Sequence, residues 1–107
     1  MTTFDDREKA FEAKFKRDQE LQFKVNARRN KLLGLWAAEQ MGLKGDAAEA
    51  YAKEVVAADF QKVGDDDVAG KVLKDLTAKG VKTDDRHIRR EMDRLLADAK
   101  AQIGKQV

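Results

Sequence analysis

Three breaks, each pairing glycine with a following aspartate, divide this proline-free chain of 107 residues into four segments. They are GLKGD at 42–46, GDDD at 64–67 and the stretch from Gly80 to Asp85. Glycine favours the left-handed residue that ends a helix, and aspartate is stabilised near the positive end of the next helix dipole. Because no proline interrupts the segments between the breaks, each segment can form one continuous helix.

Apolar residues within the segments recur at spacings of three and four, which is the spacing of one helix face. The last segment shows it most clearly, at Ile88, Met92, Leu95, Leu96, Ala99 and Ile103. No stretch shows the alternation of a half-buried strand. The sequence therefore predicts an all-α protein, a four-helix bundle. The predicted helices run from about Phe4 to Met41, from a cap at Asp46 to Gly64, from Asp65 to a close at Gly80, and from Thr83–Asp85 onward.

The first segment is nearly forty residues long, about twice the length of the others, and its apolar seam is interrupted. Asp18 and Gln22 occupy seam positions between the N-terminal phenylalanines and the seam residues from Val25 onward, which include Leu32 and Trp36. We therefore predict an N-terminal arm, residues 1–20, and a four-helix bundle, residues 21–107. An isolated charged helix of the arm's length is marginal in water, so we expect it to be extended and frayed when free. The alternative is that the arm folds back on its own bundle.

Charge and hydrophobicity exclude several classes of protein. Although 39% of the residues are charged, 22 basic and 20 acidic residues leave a net charge of only +2. Nucleic-acid binders usually carry a larger basic excess, so a nucleic-acid partner is disfavoured. No run approaches the roughly 20 apolar residues that span a bilayer, so direct membrane insertion is not expected. The absence of a secretory signal and of cysteine favours a cytoplasmic location.

The chain offers little for catalysis or for metal binding. It has no cysteine and no serine, and its single histidine, His87, has no second ligand at metal-binding spacing. Asp65, Asp66 and Asp67 lack the alternating oxygen ligands of a calcium loop, and helix capping explains them better. We predict no enzyme activity, no catalytic residue, no metal site and no cofactor. His87 is expected to be a solvated surface residue.

The segment ARRNKLLGLW concentrates basic residues beside the chain's only tryptophan. Arg28, Asn30 and Lys31 lie outside the predicted seam and are expected in solvent, whereas Arg29 falls inside it. A guanidinium in a seam must be paired, reach water or bind something. One interpretation is an ion pair between Arg29 and a carboxylate of a neighbouring helix. The other is an anion or nucleotide site formed by Arg28, Arg29 and Lys31, with Trp36 or Tyr51 as a stacking surface.

Two segments taken together, TTFDDREKAFEAKF and ARRNKLLGLWAAEQMG, resemble a known family. The chain is similar over its full length, including GDAAEAYAKEVV and DDRHIRREMDRLLADA, to the zeta subunit of the alphaproteobacterial F-type ATP synthase. The resemblance implies a regulatory inhibitor of ATP hydrolysis whose segment from Met1 to about Phe15 wedges into a catalytic interface of the alpha and beta subunits, near gamma. It also implies ADP or ATP as a regulatory ligand of the bundle, and a location peripheral to the inner membrane through the ATP synthase.

The partner-binding residues that this resemblance implies lie in the arm. They are Thr2, Thr3, Phe4, Asp5, Asp6, Arg7, Lys9, Phe11, Lys14 and Phe15. The phenylalanines would dock in a groove of the partner, and the alternating charges would orient the arm in a charged cleft. The alternative function is a helical module that binds an adenine nucleotide or nucleic acid. Its anion surface would comprise Arg28, Arg29, Lys31, Arg86, Arg89 and Arg90.

Overall fold

The structure, a computed structural model, describes residues 3–61 and 65–104, with side chains described for 19–59 and 65–104. Within these ranges it contains four helices and no strand: α1 is Thr3–Gln40, α2 is Asp46–Gln61, α3 is Asp65–Ala78 and α4 is Asp85–Gly104. The all-α fold class and the order of the four helices are confirmed. Gly64 and the side chains of residues 1–18 lie outside the described residues, so the division into an arm and a bundle stays a prediction.

Glycine ends α1 and α3 as the sequence indicates. Gly42 has a φ of 79°, and the amide after it, that of Leu43, donates to the carbonyl of Ala38 at 2.8 Å. This is a Schellman closure, and it turns Leu43 back against the core. Gly80, with a φ of 80°, closes α3 in the same way.

The starts of α2 and α4 differ in how they are capped. The carboxylate of Asp84 accepts a hydrogen bond from the amide of His87 at 2.8 Å, so Asp84 is the N-cap of α4. At α2 the amide of Glu49 donates to the carbonyl of Gly45 at 3.1 Å. Gly45 therefore holds the N-cap position that the sequence assigned to Asp46. Asp46 is instead the first helical residue, where its carboxylate still faces the positive end of the dipole.

The four helices form a ring in chain order. Each helix packs against the next, α4 closes against α1, and α1 also reaches α3 across the centre. The short connections at 41–45 and 79–84 make neighbouring helices antiparallel. Among the described side chains, twelve buried residues form the shared core: Leu33, Ala37, Ala38, Tyr51, Val55, Val68, Ala69, Val72, Leu76, Ile88, Met92 and Leu95.

The buried face of α1 is displaced by about one residue from the predicted seam. Leu33 and Ala37 are fully buried, whereas the predicted seam residues Leu32 and Trp36 are half-buried at the edge of the core. The predicted seam followed alternating steps of four and three residues, which lead to Leu32 and Trp36. The centre of the interface is instead occupied by small residues, which permit the closest approach of the helices.

Gly34 allows α1 to meet α2 at this interface. A Cβ atom at this position would lie 2.6 Å from the Cα atom of Ala52 and 3.2 Å from Cγ2 of Val55. Real Cβ atoms essentially never come this close to backbone. The absence of a side chain at Gly34 therefore sets the distance between α1 and α2.

Candidate functional site

Arg29 lies inside the bundle, where its position in the seam predicted it, with only 4% of its side chain exposed. Its Nη2 donates to Oδ1 of Asp65, in the first turn of α3, at 2.8 Å. Nε and Nη2 also donate to Oδ1 of Asn30, at 3.1 Å and 3.0 Å. The geometry confirms the ion pair with a neighbouring helix and identifies its carboxylate.

Pairing with Arg29 changes the pKa of the Asp65 carboxyl. The hydrogen bond from Arg29, helped by the charges of Arg29 and Arg89, holds the pKa of the Asp65 carboxyl below its ordinary value near 3.8, although partial burial opposes the change. Asp65 is itself 62% exposed, so water screens the pair from that side. The pair therefore joins a buried cation to an anion that solvent can reach.

Asn30 was expected in solvent but is fully buried. Its oxygen accepts both hydrogen bonds from its neighbour Arg29, and this mutual pairing makes a polar residue tolerable on the buried face of α1. Its Nδ2 has no hydrogen-bond partner in the described part of the chain. A buried donor without a partner costs about 1–3 kcal/mol. The cluster of Arg29, Asn30 and Asp65, here called the polar cluster, is thus only partly satisfied.

A cavity of about 420 Å³ opens beside the polar cluster, between α1 and α4. Its lining combines aliphatic, amide and charged side chains: Leu21, Gln22, Val25, Asn26, Arg29, Asp65, Leu96 and Lys100. Arg29 and Lys100 contribute two positive charges and Asp65 one negative charge. The cavity falls within the size range of small-molecule sites, roughly 300–1,000 Å³.

The other residues of the predicted anion site lie outside the lining of this cavity. Arg28 donates to Gln102 of α4 at 3.5 Å. Lys31 lines a separate groove between α1 and α2. Trp36 lies two turns further along, with its ring centre 5.6 Å from that of His87. The structure thus distributes the predicted residues around α1 instead of gathering them at one point.

The basic residues of α4 are partly neutralised by neighbouring acids. Arg89 donates to Asp85 at 2.8 Å and to Asp66, on α3, at 2.6 Å. Arg86, His87 and Arg90 are exposed, which confirms the solvated position expected for the histidine. This surface therefore carries less free positive charge than the sequence suggests.

A separate group of hydrogen-bonded side chains, which the sequence did not reveal, joins α2 to α3. The hydroxyl of Tyr51 donates to Oδ2 of Asp75 at 2.8 Å, and Nζ of Lys71 donates to the same oxygen at 3.0 Å. Burial, followed by the hydrogen bond and charge of Asp75, raises the pKa of the Tyr51 phenol. The phenol consequently stays protonated as a donor. The only advance signal was the spacing of four residues between Lys71 and Asp75.

The predicted partner-binding residues lie outside the described side chains, and the described residues contain neither a metal-binding group nor a membrane-spanning helix. The predicted partner-binding residues, from Thr2 to Phe15, have no described side chains. Among the residues that are described, no group of three or more His, Cys, Asp or Glu side chains could hold a metal ion. None of the described helices has the length and apolar character needed to cross a membrane.

Comparisons with known proteins identify the family. The chain matches the family described as ATPase inhibitor subunit zeta over residues 1–102. A solved structure, determined by NMR in solution, superimposes with a TM-score of 0.71 at 49% sequence identity, covering 81% of this chain and 99% of that one. No curated protein matches significantly. Because the family match spans nearly the whole sequence, the chain belongs to the ATPase inhibitor subunit zeta family.

Proposed function

We propose that this protein inhibits ATP hydrolysis by an F-type ATP synthase through its arm, residues 1–20, which wedges into a catalytic interface of the enzyme's head. Membership of an inhibitor subunit family supports a regulatory, non-catalytic role and an interaction with an ATP synthase. The proposed partners are the alpha, beta and gamma subunits of the head. The bundle serves as the folded base from which the arm acts.

The length of α1 is the observation that carries the proposal. α1 has 38 residues, whereas α2, α3 and α4 have 16, 14 and 20. At 1.5 Å per residue, α1 is about 57 Å long and α4 about 30 Å. Even its longest partner therefore leaves about 27 Å of α1 without a counterpart of equal length. That surplus gives the arm enough helix to extend past the bundle toward a partner.

The residues at the N-terminal end suit this role. Phe4, Phe11 and Phe15 are spaced by seven and four residues, so they share one face of a helix and can fill a groove. Acidic and basic residues alternate between them, which favours correct alignment and fast association in a charged cleft. Ordering the arm only on its target would lower affinity but keep the inhibition reversible.

Removal of residues 1–15 tests the proposal. ATP hydrolysis by the purified synthase is measured against increasing amounts of the full chain and of the shortened chain. Burying each phenylalanine contributes about 1.5–3 kcal/mol, so loss of the three should weaken inhibition by more than about 100-fold. The shortened chain should keep its cooperative thermal unfolding, because from residue 19, where side chains are first described, the buried residues of α1 begin at Arg29. A folded, shortened chain that inhibits like the full chain would refute the arm assignment.

A regulatory adenine nucleotide bound by the bundle is a second candidate, supported by the cavity beside Arg29. A phosphate group there would meet the positive charges of Arg29 and Lys100 but would compete with Asp65 for the guanidinium. ADP should therefore bind more tightly to Asp65→Asn and more weakly to Lys100→Gln. Calorimetric titration with ADP, and with short duplex DNA as the comparison ligand, at low and moderate salt measures both effects. Absence of ADP binding to all three proteins would remove this candidate.

A further inference from the structure

We infer that the polar cluster of Arg29, Asn30 and Asp65 fixes the direction of α1 relative to the bundle and thereby aims the arm. The consequence for inhibition rests on the proposed function. The direction of α1 is a property of the bundle alone and can be measured without the ATPase.

Among the described side chains, the polar cluster is the last buried anchor of α1 on the side of the arm. Every described side chain of α1 from residue 19 to 28 is half-buried or exposed. Burial begins at Arg29 and Asn30 and continues at Leu33, Gly34 and Ala37. The orientation of the preceding part of α1 is therefore decided where the polar cluster binds α3.

Packing next to the polar cluster is too loose to fix α1 by shape alone. A cavity of about 420 Å³, open to solvent, is lined by the half-buried side chains of Leu21 and Val25 on α1 and Leu96 on α4. Protein interiors are normally close-packed, and close packing is what resists displacement of a helix. Apolar contacts beside a cavity of this size would tolerate a change in the tilt of α1.

The ion pair supplies the missing constraint. If α1 moved away from α3, the buried guanidinium of Arg29 would lose its carboxylate, and a buried charge without a partner is costly. Asp65 is in turn held on a rigid element, since Val68 and Ala69, one turn later in α3, are fully buried. The hydrogen bonds at 2.8–3.1 Å therefore select one direction of α1 among those that the cavity would allow.

The geometry of α1 amplifies any movement at this point. The close contact of Gly34 with Ala52 acts as a pivot, and Arg29 lies five residues from it, about 7.5 Å along the helix. Gln19, near the base of the arm, lies fifteen residues from the pivot, about 22 Å along the helix. A displacement of 1 Å at Arg29 thus becomes about 3 Å at the base of the arm.

The test replaces the ion pair by uncharged groups in the full-length chain, as Arg29→Met combined with Asp65→Asn. Because the chain has no cysteine, spin labels can be attached at Gln19→Cys and Ala97→Cys, which are exposed positions on α1 and α4. Pulsed electron paramagnetic resonance then gives the distribution of distances between the two labels. We expect the distribution to broaden or shift by about 3 Å for each 1 Å of movement at Arg29.

Arg89→Met combined with Asp66→Asn is the matched control. It makes the same changes in charge and also alters the first turn of α3, but this pair joins α3 to α4 and leaves α1 untouched. Its label distances should equal those of the parent. Thermal unfolding establishes that each variant is folded. Should the first double variant fail to fold, Asp65→Asn alone changes an exposed side chain and should produce the same effect to a smaller extent.

An unchanged distance distribution in the folded variant would overturn the inference, whatever the ATPase assay shows. A changed distribution together with weaker inhibition supports the inference and the arm mechanism. A changed distribution with full inhibition would leave the inference standing and contradict the arm mechanism. The two failures can therefore be distinguished.

Discussion

Replacing Gly34 with alanine is the sharpest test of how α1 packs on α2. The new Cβ atom would lie 2.6 Å from Cα of Ala52, whereas carbon atoms in favourable contact are about 3.5–4.0 Å apart. The close atom belongs to backbone, so no side-chain rotation can relieve the contact. The two helices must separate locally by about 1 Å.

Two opposing effects determine the size of the change. Overpacking a core typically costs about 1–3 kcal/mol, while alanine in place of glycine within a helix gains up to about 1 kcal/mol. Gly34→Ala should therefore lower the free energy of unfolding by about 1 kcal/mol. Gly70→Ala is the matched control, because Gly70 is an exposed residue within α3 and a Cβ atom there meets nothing within 4 Å. It should raise the free energy of unfolding by about 0.5–1 kcal/mol.

Thermal unfolding followed by far-ultraviolet circular dichroism separates the two variants. A difference of about 2 kcal/mol corresponds to roughly 8–16 °C in Tm for a domain of this size. If Gly34→Ala unfolds at or above the Tm of Gly70→Ala, the close approach of α1 and α2 would be refuted.

Three further predictions follow from the core and its polar contacts. Pairing with Arg29 lowers the pKa of Asp65 in the folded state. The stability contributed by the ionised carboxylate is therefore present above about pH 4 and is lost as the pH falls through the folded pKa. Asp65→Asn should flatten the acid side of the curve of unfolding free energy against pH, measured by urea unfolding. Tyr51→Phe should lower the free energy of unfolding by about 1 kcal/mol, since it removes the hydroxyl that donates to α3; an unchanged urea midpoint would contradict this. Leu33→Ala should cost about 2–5 kcal/mol and clearly more than Leu32→Ala, and the reverse order would restore the seam predicted from the sequence.

The helix limits could be predicted because they depend on local chemistry. The glycine at Gly42 and the aspartate at Asp84 act through backbone conformation and capping within a few residues, so neither needs information from the rest of the fold. The cap of α2 was misplaced by one residue because Asp46 satisfies the same pattern whether it is the N-cap or the first helical residue.

The polar cluster was only half predictable. Arg29 was singled out because a charged residue in an apolar seam demands a partner. The partner, Asp65, lies 36 positions away and is identified only by how the helices pack. Asn30 was placed in solvent because its burial depends on the donors of Arg29, which hydrophobic patterning does not register.

The seam and the cavity were missed for a different reason. The interface of α1 with α2 is centred on Gly34, Ala37 and Ala52, and small residues contribute little to a hydrophobic pattern although they control helix separation. The cavity depends on how residues from three helices fail to fill space. No single segment carries that information.

The proposed inhibition requires that the arm, and not the bundle, enters the ATPase. Because the chain has no cysteine, a cross-linker can be attached to Ala13→Cys, an arm position outside the predicted partner contacts, or to Ala97→Cys on the exposed face of α4. Each protein is then mixed with the purified synthase during ATP hydrolysis, and the cross-linked subunits are identified by mass spectrometry. We predict cross-links from position 13 to the alpha or beta subunit and none from position 97. Cross-links from position 97 alone, with inhibition retained in both proteins, would contradict the claim.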